Sequence, residues 1–350
     1  MKATCKRHLL QFKTPGGTSR GVLHQKETWY LILREGDRFG IGECGLFRGL
    51  SADDVPEYEK QLQWVCANID LGLETLLARM HAFPSIQFGL EQAFRSLAAE
   101  HPFLLYPSAF TNNLKPIAIN GLIWMGDKEF MASQIEKKIA GGFRCLKLKI
   151  GALDFTTELL LLKAIRERFS KEILEIRVDA NGAFAADDVF YKLDQLASLS
   201  IHSIEQPVKP GQWDLMKEVC QRSPIPVALD EELIGIFDET KKAQMLQMIQ
   251  PQYIILKPSL VGGYQGSMEW ITLANKMGIG WWVTSALESN IGLNAIAQWT
   301  FTLQNSLPQG LGTGGLFTNN IDSPLEVKEG NLLYNKKLQW DFNFIDNICL

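Results

Sequence analysis

Between about residue 116 and residue 320 the chain repeats one pattern: a short apolar run, then a longer stretch whose apolar positions recur at helical spacing. The runs are PIAING, CLKLKIG, EIRVDANG, SIEQPV, PVALDEE, QYIILKPS, GWWVTSALE and a weaker QGLGTGG, eight in all. The distinctive residues at their C-terminal ends, Lys149, Asp179, Glu205, Asp230, Lys257 and Thr284, follow one another at intervals of about 25 to 30 residues, the length of one βα unit. Eight such units predict a closed (β/α)8 barrel of the TIM type, an α/β fold in which functional residues gather where strands end and loops begin. A doubly wound open sheet is the competing arrangement.

The first hundred or so residues read differently. TWYLILREGDRFGIGECG predicts a hairpin turning at Glu35, Gly36 and Asp37. SADDVPEYEKQLQWVCANI predicts a helix capped by Ser51, and SIQFGLEQAFRSLAAEH predicts another. The expected organisation is an N-terminal α+β capping domain over residues 1–110 and the barrel over 111–321. Two strand-like pieces around a turn in SPLEVKEGNLLYNKKLQWDF suggest that residues 322–350 return to the capping domain and complete it.

Composition narrows the setting. A chain of 350 residues with 46% hydrophobic content can bury a large core, and a net charge of −4 leaves no basic footprint for nucleic acid. No apolar segment follows the basic N-terminus and no window approaches about 18 uncharged apolar residues, so a cytoplasmic protein without a membrane partner is expected. Cys5, Cys44, Cys66, Cys145, Cys220 and Cys349 form no CxxC pair and the histidines show no zinc-like spacing, which predicts reduced thiols. GIGECG, Gly40 to Gly45, matches G-x-G-x-x-G but ends a hairpin with no helix opening after it, so nucleotide binding is not expected. Adjacent Trp281 and Trp282 face opposite sides of one strand, and core packing accounts for both.

Candidate chemistry lies at the strand ends. Asp179, Glu205 and Asp230 close three successive strands, so a barrel brings them to one rim, where their repulsion calls for protonation or a bound cation. Oxygen-only donors without nearby His or Cys favour Mg²⁺, with Mn²⁺ as a substitute; the alternative is that each acid caps the following helix. Lys147 and Lys149, two apart in one strand, share a face, and Lys257 lies on the other flank of the acids. A lysine serves as a base when its pKa falls, and a second cation plus desolvation push it down, so Lys147 is expected to tune Lys149. Arg177 alternates onto the face of Asp179 as a third cation deeper in the barrel. Salt bridges between the two lysines and neighbouring strand acids are the plainer reading.

Taken together, KLK, DAN, the Glu of IEQP, the DE pair and the Lys of LKPS resemble the muconate lactonizing branch of the enolase superfamily over nearly the whole chain. Within that branch, GIGECGLFRGLSADD and GLGTGGLF are most similar to the o-succinylbenzoate synthases, a lyase family of menaquinone biosynthesis; Gly312, Thr313 and Gly314 stand where dipeptide epimerases usually carry Asp-x-Asp. The resemblance implies Asp179, Glu205 and Asp230 as Mg²⁺ ligands, supported by Asn181 and Glu231, with Lys149 and Lys257 on either side of a small carboxylate substrate. The implied reaction is syn-dehydration of 2-succinyl-6-hydroxy-2,4-cyclohexadiene-1-carboxylate. Lys149 removes the proton beside the carboxylate and later protonates the departing hydroxyl, and Lys257 stabilises the ene-diolate. Racemisation of N-acylamino acids or epimerisation of dipeptides by the two lysines is the nearest alternative. Ser285, Gly312, Thr313 and Gly314 are expected to meet the succinyl carboxylate. Glu43 and the loop through Ser51 are expected to cover the site. Glu288 has no assigned role, and the fold is compatible with oligomer formation.

Overall fold

A computed structural model describes residues 1–18 and 21–349; the side chain of Cys349 lies outside the described set, and Cys5, Cys44, Cys66, Cys145 and Cys220 are free thiols. Strands β1 (Lys2–Thr18), β2 (Gly21–Glu35) and β3 (Arg38–Cys44) form an antiparallel sheet in that order. Glu35 pairs with Arg38, leaving a two-residue turn in which Gly36 takes a φ of 59°, the left-handed region that suits glycine. The run TWYLIL lacks alternation because β2 is covered on both faces. Trp29, Leu31 and Leu33 pack with Leu62, Val65 and Leu90 from two helices, Tyr58–Ala67 and Pro84–Ala98, while Tyr30 and Ile32 pack with Phe103, Ile321 and Trp340.

The first of those helices begins at Tyr58 rather than after Ser51. Pro56 disfavours helical backbone at Val55, and the Ser51 hydroxyl instead accepts the N–H of Phe47 at 2.8 Å, folding the 47–51 loop on itself. The helix Pro84–Ala98 lies so close to β3 that a Cβ on Gly42 would stand 1.9 Å from the Gly89 carbonyl oxygen. The glycines of GIGECG therefore serve strand-to-helix contact.

In the second half, β4 (Ile117–Ala118) precedes seven parallel strands, β5 (Gly121–Ile123), β6 (Cys145–Lys149), β7 (Glu175–Asp179), β8 (Ser203–Glu205), β9 (Val227–Leu229), β10 (Tyr253–Leu256) and β11 (Gly280–Val283), each hydrogen-bonded to the next in chain order. This sequential order is that of a barrel rather than a doubly wound sheet. PIAING splits: Ile117 and Ala118 pair with a C-terminal hairpin, β12 (Leu325–Lys328) and β13 (Asn331–Tyr334), and the barrel strand starts at Gly121. The eighth position shrinks to Gln309 and Gly310, which bridge Ile119 on one side and Thr284 on the other. Four backbone bonds close this seam, and the Gln309 side chain accepts the Val283 N–H at 2.7 Å, standing in for missing strand.

Alternation along the strands sorts side chains into barrel and helix layers. Trp282 packs inside with Ala228 and Ile255, whereas Trp281 points outward and donates to Asn275 at 3.0 Å. Asp154, Asp238 and Ser289 cap helices Phe155–Arg168, Glu239–Ile249 and Asn290–Thr302. Capping is thus done by loop residues, which leaves the strand-end acids for other work. Among the described residues no helix is long and apolar enough to cross a membrane.

Candidate active site

The parallel register places the candidate residues side by side. Lys147 aligns with Arg177, Lys149 with Asp179, and Asp179 with Glu205; Asp230 follows directly on β9 and Lys257 on β10. All three carboxyl groups are buried, at 1 to 3% exposure. Lysines compensate them. Lys147 lies 3.0 Å from Asp179 and donates to Glu205 at 2.6 Å; Lys149 donates to Asp179 at 3.0 Å and to Asn181 at 2.6 Å; Lys257 pairs with Asp230. Asn181 donates in turn to Glu231 at 2.9 Å, so both expected supporting residues touch the cluster.

Four acids meet three lysines here, and burial and charge act differently on each. Burial acts against the Lys147 and Lys257 ammonium groups, yet the acids around them outweigh it and hold both above the ordinary lysine range. Asp179 is likewise buried, but Lys147, Lys149 and Lys257 hold it well below the usual carboxylate range. Burial and the neighbouring charges of Asp179 and Asp230 push Glu205 well up despite Lys147. Lys147 and Lys149 therefore share Asp179 instead of opposing each other as bare cations. Arg177 stands one layer lower, where it ion-pairs with Glu175 at 2.7 Å, donates to the Pro308 carbonyl at 2.9 Å and lies over the Trp282 ring. It reaches none of the three lysine-bound acids because two residues of strand separate the layers by about 6.6 Å.

The donor set suits a hard divalent cation. Asp179, Glu205 and Asp230 are oxygen donors within electrostatic reach of one another; burial first and then the neighbouring acids raise Glu205, and a cation would relieve the second. Among the described residues no three acids, imidazoles or thiolates already stand as a closed cage, since the lysine heads lie against the carboxylates.

Above this cluster opens a cavity of about 690 Å³ lined by Lys147, Lys149, Lys257 and Asn181 at depth and by Leu23, Phe47 and Leu50 from the capping domain. The 47–51 loop thus covers the site. Glu43 does not line the cavity; it is wholly buried, accepting N–H groups of Ser289 and Gly292 at 2.8 Å each and so holding the start of helix Asn290–Thr302. Ser285, Gly312 and Thr313 line the cavity, whereas Gly314 lies against Asn290. The Ser285 hydroxyl accepts from Thr313 at 3.0 Å and gives its hydrogen to Glu288 at 2.6 Å.

Two residues with no assigned part in the sequence reading shape the site, and a third is buried without a side-chain hydrogen bond among the described residues. Gln206, at a φ of 41°, accepts the N–H groups of Asp230 and Glu232 at 3.2 Å and donates to Glu232 at 3.0 Å, stitching the loops after β8 and β9. Glu288 joins two loops by its serine bonds. Lys26 of β2 is buried, 5% exposed, and burial disfavours its charged form. A polar residue directly after a strand-end acid was the only signal for Gln206; the others carry none.

Comparison with known proteins places this geometry. Residues 130–337 match the family described as enolase C-terminal domain-like. The o-succinylbenzoate synthase of Desulfotalea psychrophila is 45% identical over 95% of this chain and 98% of its own length. The crystal structure of MenC from that organism superposes with a TM-score of 0.85 at 42% identity, covering 95% of this chain and 99% of that one. An L-Ala-D/L-Glu epimerase of Bacillus subtilis is 27% identical over 51% of this chain and 48% of its own. The muconate lactonizing enzyme of Pseudomonas fluorescens shares the fold, with a TM-score of 0.82 at 18% identity over 99% of this chain and 98% of that one.

Proposed function

The chain belongs to the enolase superfamily, where it groups with the o-succinylbenzoate synthases, and from that premise we propose that it is a lyase converting 2-succinyl-6-hydroxy-2,4-cyclohexadiene-1-carboxylate to o-succinylbenzoate in menaquinone biosynthesis. The observation that carries the reading is the row of three buried carboxylates at the ends of successive strands, with a lysine on each flank.

In this reading Asp179, Glu205 and Asp230 hold Mg²⁺, with Asn181 and Glu231 bracing the set. The ion supplies positive charge beside the substrate carboxylate, which acidifies the neighbouring C–H. Lys149, steered by Asp179 and Asn181, takes that proton on Nζ. Lys257, kept cationic by Asp230, offers charge from the opposite flank as the ene-diolate forms. Protonated Lys149 then returns its proton to the hydroxyl leaving on the same face, water departs and the ring becomes aromatic. Lys147 keeps Asp179 and Glu205 compensated beneath the reacting carbon. The cap loop, through Phe47 and Leu50, excludes water. Backbone N–H groups of Gly312 and Thr313 are the contacts we assign to the succinyl carboxylate; the Ser285 hydroxyl supports this wall.

The cavity lining contains six lysines and no Asp or Glu among the described residues. A free substrate ammonium would find no counter-ion there, which favours the dicarboxylate over a dipeptide. Turnover of the cyclohexadiene carboxylate with and without EDTA, followed by appearance of the aromatic product, tests the reading. Exchange of an α-proton in both enantiomers of an N-acylamino acid, without dehydration, would replace it by the racemase alternative.

A further inference from the structure

Glu288 is fully buried, and both its oxygens are used. Oε1 accepts from Ser259, two residues past Lys257 in the short helix Pro258–Val261, and Oε2 accepts from Ser285 at 2.6 Å. Ser285 is fully committed: its single hydrogen goes to Glu288, and its lone pairs receive the Leu287 N–H and the Thr313 hydroxyl, each at 3.0 Å. One carboxylate thus fixes the loop that carries Lys257 against the cavity wall built by Ser285 and Thr313. The contact is tight, since a Cβ on Gly45 of the cap loop would stand 2.8 Å from the Ser259 hydroxyl and 3.2 Å from Glu288.

Burial raises the Glu288 carboxyl above the ordinary carboxylate range, opposed by the charge of Lys26 and by the Ser259 and Ser285 hydroxyls. The two serine hydrogen bonds are the direct contacts that hold it in place.

We propose that Glu288 is a positioning residue of the active site, tying the Lys257 loop to the Ser285 wall through two serine hydroxyls. This rests on the dehydratase reading for its kinetic consequences.

Kinetics and thermal unfolding of wild type, E288Q, S259A and S285A test it. In E288Q one oxygen becomes an N–H donor facing a hydroxyl donor, so kcat is expected to fall about 10- to 100-fold, the range for lost supporting contacts, while KM moves less than about threefold. S259A and S285A, each removing one donor, reproduce part of the kcat loss and serve if E288Q does not accumulate folded. Wild-type kcat in E288Q or in both serine variants overturns the proposal, as does a loss carried by KM alone. A wild-type protein that folds but does not dehydrate rejects the functional reading instead.

Discussion

Lys149 donates to Asn181 at 2.6 Å, a shorter contact than the 3.0 Å to Asp179, so the amide and the carboxylate together aim the ammonium along one direction. Lys149→Ala is expected to lower the dehydration rate by about 10² to 10⁴, the usual contribution of a positioned acid–base group. Asn181→Ala, which leaves the lysine but removes one of its two guides, should cost about 10- to 100-fold. Steady-state turnover of both variants, with circular dichroism to show retained fold, checks the order.

Metal binding has a readout independent of turnover. At about one hundred times its dissociation constant, Mg²⁺ should add about 2.7 kcal/mol to unfolding stability. Asp179→Asn, Glu205→Gln and Asp230→Asn should each lose most of that gain. Denaturation curves in EDTA and in Mg²⁺ measure it, and an equal gain in all three variants would place the ion elsewhere.

Lys147 touches Asp179 and Glu205 and has little contact with solvent, at 8% side-chain exposure. Lys147→Met leaves two buried carboxylates short of a cation. A loss of about 3 to 5 kcal/mol is expected in EDTA, the scale for breaking a buried ion pair from one side. Urea unfolding at pH 7 decides this.

Glu91 accepts the N–H groups of Tyr264 and Gln265 across the domain interface, and burial lifts its carboxyl to about 7 in spite of them. The folded protein therefore holds this proton more tightly than the unfolded chain does. Its contribution is fully present below the ordinary value of 4.5 and is lost as pH rises through 7. Relative to Glu91→Gln, the wild type should lose up to about 3 kcal/mol between pH 4.5 and 8. Guanidinium unfolding of both proteins at the two pH values tests the sign.

Gly42→Ala places a methyl 1.9 Å from the Gly89 carbonyl oxygen, backbone against backbone, where no side chain can yield. Destabilisation at or above the usual overpacking cost of about 1 to 3 kcal/mol is expected. The wild-type protein should show no nucleotide binding by calorimetry.

Recurrence at successive strand ends was enough to bring Lys149, Asp179, Glu205, Asp230 and Lys257 to one rim: the parallel ladder aligns the first three, and Asp230 and Lys257 directly follow the next two strands. The barrel was legible for the same reason. What escaped lay between elements. Gln206 acts on residues more than twenty positions away and Glu288 on Ser259, and no local pattern marks such partners. The start of helix Tyr58–Ala67 was misplaced because Ser51 found a partner behind it in Phe47 rather than ahead. PIAING read as one strand, yet Ile117 and Ala118 answer to β13, more than two hundred residues later. The tuning of Lys149 by Lys147 presumed two isolated cations, whereas in the folded chain Asp179 stands between their charges.

The seam at Gln309 and Gly310 makes one short stretch both the keystone of the barrel and the abutment of the substrate chamber, since Gly312 and Thr313 follow it at once. A change of ligand preference made here cannot be independent of whether the cylinder stays shut. Variation that reshapes the chamber wall therefore has more freedom in the cap loop of Phe47 and Leu50, which can move without unzipping a ladder.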